Sequence, residues 1–339
     1  MRIIGIATFI LSVACLAGVA AEPPQAEIHN RYLRVKFYLP DAQNGFYRST
    51  RFDWSGAIAN LEFAGHDLYG PWFARMDPNV RDVGYQGQDI AVGAPTAMVG
   101  PVEEFQKPIG YDAVKAGGVF LKVGVGLLRR IDDGNYQFAK PFELVDSGKW
   151  SVRNGEDFIA FTQELSAPES GFGYVYTKTF RLAPDRADMT MEHSLWNTGR
   201  VPITTPLYNH NFLVMDGMGP GPYYSITVPF EIKPARPVDP AWVSISGNRA
   251  VYQKTLENQD RVAFGLQGFG ADAKDYDVRI ENGKAHTGVR IVGDRPLVNE
   301  SVWSIRSVLA VEPFIDISAD PGKEFTWKYT YSYYSLPEK

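Results

Sequence analysis

Along most of this chain, apolar side chains recur at every second position. Leu33, Val35, Phe37 and Leu39 fall on one side of an extended segment, with Arg34, Lys36 and Tyr38 on the other. Met189, Met191, His193 and Leu195 alternate with Thr190, Glu192, Ser194 and Trp196. Near the C-terminus Phe325, Trp327, Tyr329, Tyr331 and Tyr333 share one side. Successive side chains point to opposite faces in a strand, so the pattern predicts half-buried β-strands. Further strands are predicted over 119–125, 157–163, 173–182, 262–267, 278–281, 287–292 and 302–311. Asn44-Gly45, Asp133-Gly134, Asn154-Gly155 and Asn282-Gly283 are turn signals between them. Residues 215–222 carry too many glycines and prolines for a helix or a central strand and read as a loop. Only 112–116, ended by Gly117-Gly118, suggests a short helix. The fold class is therefore all-β, with many antiparallel strands.

Arg2, an apolar run over 3–16 and the small residues Ala17, Gly18, Val19, Ala20 and Ala21 read as a signal peptide over 1–21. An N-terminal membrane anchor and a lipid on Cys15 are the competing readings. Export predicts a periplasmic or secreted protein, free of the membrane once the leader is cut. Cys15 is the only cysteine. A chain cut after Ala20 or Ala21 then has no disulfide, no thiol nucleophile and no thiolate metal site. No flexible linker divides 22–339, which read as a single domain. The net charge of −5, with no run of Lys or Arg, excludes a nucleic-acid or anionic-membrane partner. Phosphate-binding loops, dinucleotide fingerprints, zinc-binding helices and nucleophile elbows are all absent. The oligomeric state is not legible.

Two segments carry polar groups in apolar surroundings. In one, Asn209-His210-Asn211 lies between Tyr208 and Phe212, just before the glycine-rich loop. In the other, Glu312 ends an apolar run and Pro313 interrupts it. If 303–312 is one unbulged strand, Ser304, Arg306 and Glu312 share a face and Trp303, Ile305, Leu309 and Val311 take the other. Arg306 would then steady the Glu312 carboxylate.

Asn209-His210-Asn211-Phe212 resembles the Asn-His-x-(Tyr/Phe) motif of the aldose 1-epimerases, the galactose mutarotases. Val311-Glu312-Pro313, followed by Asp320-Pro321-Gly322 and the last strand, is similar to the C-terminal segment of that family. Residues 55–61, Ser-Gly-Ala-Ile-Ala-Asn-Leu, resemble its first strand. The resemblance covers most of the chain after the leader as three separated islands. It implies a β-supersandwich of two large antiparallel sheets with a saccharide ligand in a concave face. It also implies His210 as general acid on the ring oxygen and Glu312 as general base on the anomeric hydroxyl, with no cofactor and no metal. On this reading the two side chains stand a sugar ring apart, and some of the 18 Tyr and 7 Trp stack on sugar.

The family's first-half histidine has no counterpart in the segment 99–111. Glu103 or Glu104 is the candidate replacement for that polar contact, with solvent-facing loop carboxylates as the other reading. Arg48 and Arg51 are candidates for sugar hydroxyls or a uronate carboxylate, or for pairing with Asp53. Asn209 and Arg306 complete the candidate binding set. His193 shares an apolar strand side and reads as a core histidine. The resemblance leaves two alternatives to epimerase-like chemistry: a carbohydrate-binding protein without turnover, and a polysaccharide lyase or hydrolase on the same fold.

Overall fold

A computed structural model describes residues 22–337. The leader read into 1–21 lies outside the described residues. Nearly all regular structure is strand. The helical segments among the described residues are single 3-10 turns at Ala94–Thr96, Tyr111–Ala113 and Ala273–Asp275.

A ten-stranded antiparallel sheet forms one layer. Its spatial order is Lys149–Asn154, Phe158–Ala167, Phe172–Leu182, Asp188–Asn197, Glu324–Ser335, Thr287–Gly293, Asp277–Asn282, Tyr224–Thr227, Arg249–Tyr252 and Val243–Ser246. The long strands follow the alternation in the sequence. Met189, Met191, His193 and Leu195 are buried, while Trp196 turns outward and is 50% exposed.

The second layer is a five-stranded antiparallel sheet. Its members in chain order are β1 (Gly100–Phe105), β2 (Ile203–Leu213), β3 (Arg261–Gly265), β4 (Asn299–Ile305) and β5 (Val308–Ala319). In space they run β3-β4-β5-β2-β1. One face, with Phe105, Leu207, Leu213, Leu309, Val311 and Ile315, packs on the ten-stranded sheet in the main core. Phe105 reaches across to Tyr176 and Trp327, with ring centroids 5.6 and 6.2 Å away. Full burial of side chains of this size contributes about 1.5–3 kcal/mol each. The other face, with Val102, Tyr208, Phe212, Ala310 and Phe314, joins a second cluster with Phe52, Trp54, Trp72, Met98 and Val99. Both faces are thus covered, which is why 308–311 is apolar without alternation.

Residues 303–312 are not one strand. β4 and β5 form a hairpin that turns at Arg306-Ser307, with Ile305 opposite Val308. The turn reverses the predicted parity, so Trp303 and Ser301, not Arg306, share a face with Glu312. Nor does Pro313 end β5, which runs on to Ala319. Proline has no N–H to donate, and the β2–β5 ladder is interrupted between Tyr208↔Phe314 and Asn211↔Val311. The Asn211 side-chain amide bridges the break, donating to the carbonyls of Asn209 (3.2 Å) and Val311 (2.9 Å).

Candidate functional site

The outer face of the five-stranded sheet carries three rows of cross-strand neighbours. The middle row is Val102, His210, Glu312, Ser301 and Gly265. The register on either side of the Pro313 break sets His210 opposite Glu312. Two residues along β2 in one direction lies Gly100, Phe212, Ala310, Trp303 and Ala263. In the other direction lies Glu104, Tyr208, Phe314 and Asn299. A polar row therefore runs between two aromatic ones.

His210 Nε2 is 3.0 Å from Glu312 Oε1, and Ser301 Oγ donates to Glu312 Oε2 at 2.9 Å. The expected ring-wide gap is absent, for a reason of register. Directly opposed residues on adjacent strands have Cβ atoms about 4.5–5.5 Å apart, so their side chains meet. Packing fixes the imidazole. It stacks on Phe212 with centroids 3.7 Å apart and meets the edges of Phe52 and Trp303 at 5.8 and 5.9 Å. Burial pushes the Glu312 carboxyl up, but the His210 charge and the bonds from His210 and Ser301 outweigh it and hold it below the usual carboxylate range.

Beside this pair, Arg51 Nε donates to Glu104 Oε2 at 2.8 Å, and its other nitrogens reach the Tyr208 hydroxyl at 2.9 Å and Thr96 Oγ1 at 3.3 Å. Its guanidinium lies 3.9 Å from the centroid of the Phe138 ring. Glu104 also accepts from Lys122 Nζ at 3.0 Å and from the Tyr208 hydroxyl. Burial raises the Glu104 carboxyl, yet Lys122 and Arg51 bring it down to about 2.

A hollow of about 320 Å³ opens over the middle row, lined by His210, Glu312, Ser301, Trp303, Phe212 and Arg51, with Asp82 and Arg261 also in its wall. Small-ligand sites typically measure about 300–1,000 Å³. Its groups can do acid–base chemistry at one polar edge and stack an apolar ring face beside it.

No protein-family model and no curated protein matches the sequence. The folded chain does match solved structures. A putative aldose 1-epimerase from Escherichia coli superimposes with a TM-score of 0.55 at 12% identity, covering 92% of this chain and 100% of that one. A galactose mutarotase related enzyme from Lactobacillus acidophilus gives 0.53 at 13%, covering 93% and 99%. A galactose mutarotase-like protein from Clostridium acetobutylicum gives 0.51 at 9%, covering 92% and 95%. The fold is galactose mutarotase-like. At such identities the likeness is one of fold.

Within this mutarotase-like sandwich the candidate residues separate into two groups. His210, Glu312, Arg51 and Glu104 come together on the outer face. Glu103 and Asn209 do not, because odd positions of β1 and β2 face the ten-stranded sheet. Glu103 is fully buried rather than a loop carboxylate. Lys178 Nζ and His193 Nε2 each lie 2.8 Å from Glu103 Oε2, and Lys178 Nζ is 2.6 Å from Asp53. Asn209 is buried and donates to the Tyr331 hydroxyl. Arg48 is exposed and donates to the Gln43 carbonyl, away from the hollow. Arg306, in the hairpin turn, donates to the carbonyls of Asn258 and Gln88 and does not touch Glu312. Arg51 pairs with Glu104, not Asp53. His193 is a core residue, though one held by a carboxylate. Ser301, Tyr208, Lys122 and Phe138 carry no sequence signal as site residues, since each is brought in by register or by a distant loop.

Proposed function

We propose that this chain is an exported saccharide-handling protein whose hollow over the His210–Glu312 row performs aldose 1-epimerase-like acid–base chemistry. The observation that carries the reading is the polar row His210–Glu312–Ser301 between Phe212–Trp303 and Tyr208–Phe314. Sugars offer a hydroxyl edge and an apolar C–H face, and such a floor matches both.

The contact between the two side chains changes how the chemistry runs. The hemiacetal hydroxyl O1 and the ring oxygen O5 are bonded to the same carbon, so neighbouring groups on one side of the ring can reach both. Glu312 takes the proton from O1, the O1 electrons form the C1=O1 bond, and the C1–O5 bond breaks. The imidazolium of His210 gives its proton to O5, leaving the open aldehyde. Rotation about C1–C2 and the reverse steps yield the other anomer. Proton transfers of this kind typically contribute about 10²- to 10⁴-fold.

The 3.0 Å contact also favours a second reading, a binding protein without turnover in which the pair only neutralises and orients the floor. Exchange NMR on a panel of aldoses and uronates separates the two. Under the first reading the wild type interconverts anomers faster than buffer, and Glu312→Gln lowers that rate about 10²-fold or more with binding largely retained. A wild-type rate equal to buffer in sugars that bind removes the epimerase reading and leaves the binding one.

A further inference from the structure

We infer that the site prefers a chain of at least two glycosidically linked sugar units, one in each of two adjoining hollows, to a free monosaccharide. The inference rests on the saccharide reading above and specifies its substrate class.

A second hollow, of about 540 Å³, adjoins the first. Glu312, Arg51 and Phe138 line both. On the first side the aromatic wall is Phe212 and Trp303, and on the second it is Tyr208, Phe314 and Tyr136. These walls are the two aromatic rows of the sheet. They stand four residues apart along β5, from the level of Ala310 to Phe314, which is about 13 Å of strand. One pyranose ring is shorter than that. A single ring over Glu312 would leave one aromatic wall wet, whereas two linked rings would cover both.

The junction itself suits a linkage. Phe138, from the irregular segment 131–142, sets its ring centroid 3.9 Å from the Arg51 guanidinium and lines both hollows. Arg51 is held from beneath by Glu104 and Tyr208. Polar groups sit on both sides, with Ser301, Thr96 and Asp82 in the first hollow and Gln106 and Gln137 in the second. Each unit would thus meet an aromatic face and hydroxyl partners.

The test is a length series measured by calorimetry on the chain without its leader. The probes are glucose, galactose and galacturonic acid with their 1,4-linked dimers, trimers and tetramers. In the series that binds, affinity should rise tenfold or more from monomer to dimer and level off once both hollows are filled. Phe138→Ala should bring the dimer-to-monomer affinity ratio down toward one. Equal affinity for monomer and dimer overturns the inference and leaves the saccharide reading standing. A length gain that survives Phe138→Ala places the extra unit elsewhere and overturns it too. No binding by any member removes the saccharide reading itself, and the inference with it.

Discussion

Glu300 stands directly behind the site row, on the inner face of β4 opposite Pro313. It is 1% exposed, and its Oε2 has no partner among the described residues. Burial alone pushes its carboxyl up to about 8. Between the usual carboxylate value of 4.5 and about 8, the folded protein keeps a proton that the unfolded chain has released. Stability therefore falls as pH rises through that window, by an amount on the order of a few kcal/mol. Glutamine has the shape of the protonated acid. Melting curves should show Glu300→Gln matching the wild type near pH 4 and exceeding it at pH 9. An equal loss at both pH values would contradict this account of Glu300. Glu104 behaves oppositely. Its lowered carboxyl adds stability above the usual value, and that stability is lost as pH falls toward about 2.

At the scale of elements, the β2–β5 pairing decides the geometry of the site, and Asn211 repairs the break that Pro313 leaves in it. Removing its amide strands the Asn209 carbonyl and the Tyr331 hydroxyl, which donates to Asn211 Oδ1 at 2.9 Å. An unsatisfied buried group costs about 1–3 kcal/mol. Denaturant melts of Asn211→Ala should show a loss of at least that size, while a change under 0.5 kcal/mol would mean the break needs no bridge. The strands themselves were legible wherever one face meets a core and the other meets solvent, as in Asp188–Asn197. The β4–β5 hairpin was not legible. Its turn, Arg306-Ser307, has no glycine, proline or asparagine, and both its strands are covered on both faces. A strand parity run through this turn therefore sets Arg306 and Trp303 each on the wrong side. From sequence, Glu103 and Glu104 are open both to a polar site contact and to a solvent-facing loop, because adjacent charges are rarely both buried. The cations that hold them, Lys178 on one face and Arg51 and Lys122 on the other, are distant in sequence and appear only with the fold.

Across the whole molecule, the two layers are joined by charge as well as by apolar packing. Lys178 and His193 come from the ten-stranded sheet, Glu103 from the five-stranded sheet, and Asp53 from the segment that precedes both. Lys178, Asp53 and Glu103 have fully buried side chains. Removing one member of a buried charge set strands the others, at about 3–5 kcal/mol. Lys178→Met should therefore lower the denaturant midpoint strongly, whereas exposed Arg48→Ala should leave it within error. A mild loss for Lys178→Met would mean that apolar packing alone aligns the layers. That alignment matters for the site, because β1 carries Glu103 to the core and Glu104 to the hollow on consecutive residues. The proposed function requires a sugar on the outer face of the small sheet, over Glu312. A crystal structure of the chain soaked in the tightest-binding saccharide tests it most directly. A ring is expected against Trp303 with a hydroxyl within hydrogen-bond distance of Glu312. A sugar bound on any other surface, with the Glu312 hollow empty at saturation, would contradict it.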